Sequence, residues 1–200
     1  MLTNIIALIL CSYFLPLTPS DSDFVNLMSL DPTIKLDIKY ATDDNFVKEK
    51  MYQCEACYLR KDVAKSIITI QKHLQKKGLG LKIFDCYRPL DVQKKLWQKM
   101  PDPRFVMNPS KGSEHNKGGA VDLTIIDSKG QELDMGTKYD FFGPEAYHTY
   151  RKLPKQVLEN RLLLTETMKR FGFREIRTEW WHYSYKKKNY PISNWNWSCK

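Results

Sequence analysis

Residues 113–122, SEHNKGGAVD, constrain the fold more than any other stretch of this 200-residue chain. They place an imidazole, His115, and a carboxylate, Asp122, on one short piece of backbone, separated by the turn-forming pair Gly118 and Gly119. Both side chains suit a borderline cation such as zinc, which takes three protein ligands in a catalytic site and leaves one position for water. The alternative for this segment alone is a loop histidine that only hydrogen-bonds to a strand aspartate.

Residues 179–182, EWWH, supply a third ligand near the C-terminus. His182 is a second imidazole, and the carboxylate of Glu179 lies three residues earlier, where it suits a general base rather than a ligand. The two segments together predict a zinc hydrolase in which His115, Asp122 and His182 hold the metal.

The residues after the glycine pair alternate between an apolar face and a second face that carries Asp122. Because an unpaired aspartate is costly to bury, this second face is predicted to be the floor of a site. In a flat strand Glu179 and His182 would point to opposite faces, since their spacing is odd. We therefore expect Glu179 in a loop or bulge just before the strand that carries His182. Trp180 and Trp181 are expected to be packing residues.

Several other segments show the period of a regular element. Strands are predicted at 34–38 and 81–87, and helices at 62–78, 90–100 and 154–171. Residues 127–153 form a long connection of the kind that often binds ligands. His73 is expected at the surface or in packing and His148 at the surface, since neither has a partner at ligand spacing. The aromatic tail, residues 183–197, is predicted to be a closing flap of surface.

Arg88 lies where the strand ending at Tyr87 meets the helix that follows Pro89. Such junctions commonly display functional side chains. The equal alternative is a structural arginine paired with Asp85 or Asp91.

The chain is long enough to bury one core, and a single domain over residues 21–200 is expected. Residues 1–20 carry no charged side chain and include a short apolar run that ends in prolines and serine, as in a secretory signal peptide. The run is too short for a membrane span, and the bulky Leu10 disfavours a lipid-modified Cys11. We expect export to a bacterial periplasm with cleavage of the signal, and no stable membrane span afterwards.

The chain carries a net charge of +9 and a pI of about 9.2. Its lysines lie in short, scattered clusters without a basic helix or an aromatic ribbon, so we expect a basic surface and no nucleic-acid partner. Cys54 and Cys57 form a CxxC without a matching second pair, which is a weak zinc signal. Structural or disulfide use is favoured, with the pairing among Cys54, Cys57, Cys86 and Cys199 left open.

Residues 113–122 resemble the SxHxxGxAxD signature, and residues 179–182 the ExWH signature, of the zinc D-alanyl-D-alanine dipeptidases, the VanX-type peptidases. The stretches FDCYRP at 84–89 and MGTKYDFF at 135–142 are also similar to that family and follow in the same order. The resemblance implies an α+β fold, a central antiparallel sheet with helices packed against it, as in D,D-carboxypeptidases and the Hedgehog signalling domain.

The resemblance also implies the roles of the metal and catalytic residues. One zinc per chain would be bound by His115, Asp122 and His182. Glu179 would be the catalytic base, and Arg88 would polarise the scissile carbonyl and stabilise the oxyanion.

The substrate-binding residues follow from the same resemblance. Asp140 matches the aspartate that holds the free ammonium of the substrate, and Tyr40 and Ser113 fall at further substrate-lining positions. Asp85 would support Arg88.

The implied activity is the hydrolysis of the dipeptide D-alanyl-D-alanine, with a small closed pocket for two methyl side chains. A zinc D,D-carboxypeptidase or peptidoglycan endopeptidase would share the ligands but need an open cleft. A zinc-bearing binding module without catalysis belongs to a different class, and the presence of both Glu179 and Arg88 argues against it. The oligomeric state is left open.

Overall fold

The computed structural model describes residues 23–199, so the predicted signal peptide, residues 1–20, lies outside the described residues and stays a prediction. The elements are β1 (Phe24–Asn26), α1 (Leu27–Leu30), β2 (Lys35–Leu36), β3 (Tyr58–Arg60), α2 (Lys61–Gln75), β4 (Gly80–Asp85), α3 (Leu90–Lys99), β5 (Ala120–Ile126), α4 (Lys155–Arg170), β6 (Phe173–Ile176) and β7 (Glu179–Tyr185). Short 3-10 helices cover Lys39–Ala41, His115–Lys117 and Pro144–Ala146. Within 23–199 no helix is long and apolar enough to cross a bilayer.

A five-stranded sheet in the order β2-β4-β5-β7-β6 forms the centre of the molecule. Its neighbouring strands are antiparallel except at one edge, where β2 pairs parallel to β4. A separate antiparallel pair joins β1 to β3. The α+β class predicted from the sequence is confirmed, with a single parallel pair as the departure from an antiparallel sheet.

The middle strand, β5, is buried along its whole length. One of its faces contributes Val121, Leu123 and Ile125 to the hydrophobic core. α2 packs against β4 and α4 packs against β6. The apolar stripe of α2 has no exposed surface and consists of Val63, Ile67, Ile70 and Leu74. Since the apolar face of β5 is thus committed to the core, its other face is available to a site.

The connection between β5 and α4 is held in place by side chains of α4. Arg161 is buried, and its guanidinium donates to the carbonyls of Met135 at 2.7 Å and Glu145 at 2.9 Å. Asn160 donates to the carbonyl of Asp134 at 2.9 Å. The connection is therefore an ordered loop, because buried donors satisfy its backbone carbonyls.

Two disulfides join parts of the chain that are distant in sequence. Cys57 pairs with Cys86, and Cys54 pairs with Cys199, so the CxxC does not close on itself. The disulfide use expected from the sequence is confirmed, and the structure supplies the pairing.

The C-terminal tail, residues 186–199, is a strap that packs on the body of the protein. The ring of Trp195 stacks on Phe24 with centroids 5.1 Å apart, and Trp197 meets Tyr52 edge to face at 5.2 Å. The predicted surface flap is therefore wrong for residues 183–185, which belong to β7. The rest of the tail lies on the surface of the body, but its aromatic rings also pack on the core.

Candidate active site

Two adjacent strands and one tight loop bring the three predicted metal ligands together. Asp122 in β5 and His182 in β7 are directly paired across the ladder. His115 begins the 3-10 helix that precedes β5, and the chain turns back into β5 through Gly118 at a φ of +67°. A Cβ at Gly118 would lie 2.5 Å from the ring of Phe24, so both the conformation and the space require glycine.

The ligand atoms converge in a buried cluster. The Nε2 atom of His115 lies 3.2 Å from Oδ1 of Asp122 and 3.0 Å from Nδ1 of His182. The distance from Nδ1 of His182 to Oδ1 of Asp122 is also 3.0 Å. All three residues are less than a tenth exposed. Two nitrogens and one carboxylate oxygen, close enough to share one cation, are the donor set of a catalytic zinc site.

A second hydrogen bond orients each of these three ligands from behind. His115 donates from Nδ1 to the carbonyl of Cys86 at 2.7 Å, and because a carbonyl only accepts, the lone pair of Nε2 faces the cluster. Tyr139 donates to Oδ2 of Asp122 at 3.0 Å. On the far side of the ring of His182, Nε2 lies 2.9 Å from the hydroxyl of Ser184. Such outer contacts fix the tautomer and direction of metal-binding side chains.

The charges of the cluster also suit a cation. Burial opposes ionisation of Asp122, but the charge and hydrogen bonds of His115, together with those of His182, hold the pKa of this carboxyl well below its usual range. Burial lowers the pKa of His182. Asp122 thus offers an ionised carboxylate and His182 a neutral imidazole, which are the forms that bind metals. For His115, burial opposes the charged form, but Asp122 outweighs burial and raises the pKa of this imidazole.

Glu179 reaches the same cavity through an irregularity in β7. The β6–β7 register pairs Glu175 with Tyr183 but Ile176 with Glu179, so extra residues of β7 bulge between Glu179 and Tyr183. The predicted bulge is present, although it lies within β7 rather than before it. Burial raises the pKa of Glu179 well above its ordinary value, and the nearby charges of Asp122 and Asp140 add to that effect.

Arg88 is buried beside the cluster and is held by two partners. Its Nε and Nη2 atoms donate to Oδ2 of Asp85 at 3.0 Å and 2.6 Å, and its Nη1 donates to Gln93 at 2.9 Å. Burial opposes its charge, but Asp85 raises the pKa of Arg88 well above the ordinary value. Of the two partners considered from the sequence, the structure selects Asp85. Asp91 instead bonds Lys94 and Asn194 at the surface.

The predicted substrate-binding residues line the same cavity as the cluster. The carboxylate of Asp140 accepts a hydrogen bond from the hydroxyl of Tyr40 at 3.0 Å. Burial, with the nearby charge of Asp122 as the next cause, raises the pKa of Asp140 to about 8. The hydroxyl of Ser113 is engaged locally, where it accepts from the backbone N–H of His115 at 3.3 Å.

All eight predicted site residues line one cleft of about 670 Å³. They are Tyr40, Arg88, Ser113, His115, Asp122, Asp140, Glu179 and His182. The aromatic rings of Phe105 and Phe142, with centroids 4.7 Å apart, form part of the same lining. The cleft is larger than the small closed pocket expected from the sequence.

The two remaining histidines lie outside the cluster. His73 packs against the ring of Phe171 at 5.5 Å, as expected. His148 is half-buried against Tyr183 rather than at the surface, because its loop is tied to the β6–β7 turn by a backbone hydrogen bond from His148 to the carbonyl of Arg177 at 3.0 Å. His148 thus lies away from the metal cluster, as expected, but it is half-buried rather than fully at the surface.

Sequence reasoning missed the outer contacts made by Tyr139, Ser184 and Cys86. Ser184 had a usable signal, since a residue two positions after His182 lies on the same face of a strand. The carbonyl of Cys86 has no such signal, because every residue has a backbone carbonyl whatever its side chain.

The mixed sheet brings two histidines and an aspartate together beside the carboxylate of Glu179 and the guanidinium of Arg88. This arrangement is typical of the metal-dependent hydrolases. The family model described as D-ala-D-ala dipeptidase, of the M15 peptidases, matches residues 20–198. The chain belongs to this peptidase family, so the resemblance seen in the two motifs is confirmed.

Relatives from several bacteria carry the same description. The D-alanyl-D-alanine dipeptidase of Escherichia coli K12 is 36% identical over 179 residues, which cover 89% of this chain and 93% of the relative. That of Enterococcus faecalis V583 is 28% identical over 197 residues, covering 88% and 98%. Among solved structures, the zinc complex of the vancomycin resistance D,D-pentapeptidase VanY E175A aligns over 66% of this chain and 74% of its own, with 17% identity and a TM-score of 0.42.

Proposed function

We propose that this chain hydrolyses the dipeptide D-alanyl-D-alanine to two molecules of D-alanine with one zinc held by His115, Asp122 and His182. The observation that carries the proposal is that these donors, Glu179 and Arg88 line one cleft in a chain of the dipeptidase family. The three donors fit zinc, because they are buried and each is held by a further hydrogen bond on the side away from the cluster. When bound, zinc acts as a Lewis acid and lowers the pKa of a coordinated water to about 7.

Glu179 is the proton carrier of the proposed reaction. Burial raises the pKa of Glu179 above that of an ordinary carboxylate, which suits a group that must both take and release a proton. Glu179 accepts the proton of the attacking water and passes it to the nitrogen of the leaving D-alanine. This transfer breaks the peptide bond without leaving a free amide anion.

Arg88 stabilises the negative charge that develops on the carbonyl oxygen of the scissile bond. Its guanidinium is buried and fixed by Asp85 and Gln93, so it needs little rearrangement when that charge appears. A preorganised donor of this kind lowers the barrier by about 3 kcal/mol.

Asp140 and Tyr40 set the position of the substrate. A carboxylate whose pKa is raised to about 8 by burial gains most from a cation placed beside it, and the free ammonium of a dipeptide is such a cation. Tyr40 donates to the same carboxylate and fixes its orientation. Ser113 lines the cleft and shapes the loop before His115.

The direct test is an assay of free D-alanyl-D-alanine with the full chain, before and after treatment with a chelator. We expect release of D-alanine, loss of activity with the chelator, and recovery of activity with stoichiometric zinc. Turnover that persists after the metal is stripped would overturn the role of zinc.

A zinc D,D-carboxypeptidase or peptidoglycan endopeptidase is the second candidate. The cleft volume of about 670 Å³ favours it, since two alanine residues fill only part of such a space. Product analysis separates the two activities. Faster cleavage of an intact pentapeptide or muropeptide than of the free dipeptide would replace the dipeptidase proposal with the second candidate.

Export to a bacterial periplasm is part of the same proposal. The apolar residues 1–20 and the two disulfides support it, because disulfides persist in oxidising compartments. Fractionation of cells and N-terminal sequencing of the purified protein test it, and an uncleaved chain in the reducing cytosol would contradict it.

A further inference from the structure

Residues 86–88 leave the central sheet and carry two parts of the site. β4 ends at Asp85, which is also its last paired position with β5. Directly after it, the carbonyl of Cys86 accepts the hydrogen bond that orients His115, and Arg88 projects into the cleft. This segment lacks a ladder of its own among the described strands, so other contacts must fix its position.

The Cys57–Cys86 disulfide is the covalent part of that fixation. Cys57 has no exposed surface and Cys86 is 1% exposed. The backbone of Cys57 is itself held, since its carbonyl accepts from the N–H of Leu27 at 2.8 Å. The next residue of each segment is also joined, since the backbone N–H of Tyr87 donates to the carbonyl of Tyr58 at 2.9 Å. Together they tie residues 86–88 to the β1–β3 pair.

We propose that the Cys57–Cys86 disulfide is a positioning element of the metal site, because it holds the Cys86 carbonyl where it fixes the ring of His115. The proposal rests on the proposed function only in taking His115 as a metal ligand. Loss of an outer partner of a ligating histidine reduces metal affinity about 10–100-fold. The expected effect of losing the disulfide is therefore weaker zinc binding by a folded protein.

The Cys54–Cys199 disulfide provides a matched comparison within the same chain. It joins the exposed end of the C-terminal strap to the segment before β3. Across residues 23–199, neither of its cysteines hydrogen-bonds to His115, Asp122 or His182. Its loss removes a cross-link without removing an outer contact of the metal site.

The test compares the zinc affinities of C57A/C86A, C54A/C199A and the unaltered chain by competition with a chromophoric chelator, at a temperature below every unfolding midpoint. We expect the dissociation constant of C57A/C86A to rise at least about tenfold, and that of C54A/C199A to change less than twofold. Equal affinities in the two double variants would overturn the proposal.

A second measurement covers the case in which C57A/C86A does not fold. The unaltered chain is equilibrated in graded thiol redox buffers with and without zinc, and each disulfide is followed by thiol trapping and mass spectrometry. Because coupling is reciprocal, a tenfold effect lowers the midpoint potential of Cys57–Cys86 by about 30 mV in zinc. The potential of Cys54–Cys199 should not move, and an equal shift of both disulfides would overturn the proposal.

His115→Ala separates this proposal from the proposed function. If that variant binds zinc as tightly as the unaltered chain, the metal assignment fails and the positioning proposal fails with it. If zinc depends on His115 but not on the Cys57–Cys86 disulfide, only the positioning proposal is overturned.

Discussion

A carbonyl, a phenol and a hydroxyl, none of them within residues 113–122 or 179–182, fix the three candidate metal ligands from behind. A histidine or aspartate on a surface loop samples many directions, and convergence on one cation then costs entropy. In this chain the outer hydrogen bonds set those directions during folding. The affinity of the site should therefore depend on residues that never touch the metal.

Tyr139→Phe tests that dependence at one residue. It removes the hydroxyl that donates to Asp122 and keeps the aromatic packing of the ring against Phe84. Zinc affinity should fall about tenfold or more, since outer partners of metal ligands contribute 10–100-fold. Chelator competition measures it, with Tyr150→Phe in the same connection as control. An unchanged dissociation constant would show that the hydroxyl of Tyr139 does not orient Asp122 for zinc.

Arg88→Lys tests the stabilisation of the oxyanion. Lysine keeps a positive charge for buried Asp85 but lacks the planar fork that now bonds both Asp85 and Gln93. We expect kcat for D-alanyl-D-alanine to fall about 100-fold with zinc still bound, as for loss of a preorganised donor. Steady-state kinetics measure it against Lys95→Ala on the exposed face of α3. A loss confined to KM would point to substrate binding instead.

At the scale of the elements, the site exists because β5 and β7 are neighbours and because β7 bulges. The pairing of Asp122 with His182 follows from that register, and a slip of one residue would turn one of them to the opposite face. The connection between β5 and α4 brings Asp140 to the lining of the cleft and the hydroxyl of Tyr139 to Asp122. His148 joins this connection to the β6–β7 turn.

The stability of that junction should depend on pH through His148. Burial lowers the pKa of His148 from 6.5 to about 4, so between these values the unfolded chain binds more protons than the folded one. The contribution of neutral, buried His148 to the free energy of unfolding is fully present above pH 6.5 and is lost as pH falls towards 4. Urea unfolding across this range should be less pH-dependent in His148→Gln. An identical slope in the variant and the unaltered chain would contradict the assignment.

The elements also show what could be read from the sequence. Alternation in residues 120–125 predicted the face of Asp122, and the odd spacing of Glu179 and His182 predicted the bulge, because side-chain periodicity is a local property. The parallel pairing of β2 with β4 could not be predicted, since a two-residue strand has no pattern that fixes its partner. Nor could the role of Tyr139, which acts on a ligand 17 residues away through a long loop.

At the scale of the whole molecule, the C-terminal strap is joined to the N-terminal half of the chain by the Cys54–Cys199 disulfide. The sequence left this pairing open, because spacing alone does not determine which cysteines pair. The family match over residues 20–198 includes all of this strap except Cys199. It packs Trp195 and Trp197 onto rings from the N-terminal half.

Removal of the strap disulfide should lower stability without abolishing folding. Cys54 and Cys199 are 145 residues apart, so C54A/C199A releases a long loop in the unfolded chain and should cost about 2–5 kcal/mol. Urea unfolding under oxidising conditions measures the free energy of unfolding, with exposed Ser198→Ala as control. A change within about 0.5 kcal/mol, the range of ordinary surface substitutions, would show that the strap is held by its aromatic contacts alone.

The most direct test of the central claim is the turnover of D-alanyl-D-alanine by Glu179→Gln, measured on protein whose zinc content is determined in the same sample. We expect one zinc per chain and a fall in kcat of about 10²–10⁴, the usual contribution of a general base. Glu166→Gln on the exposed face of α4 should match the unaltered chain. Undiminished hydrolysis by zinc-loaded Glu179→Gln would contradict the mechanism proposed for this site.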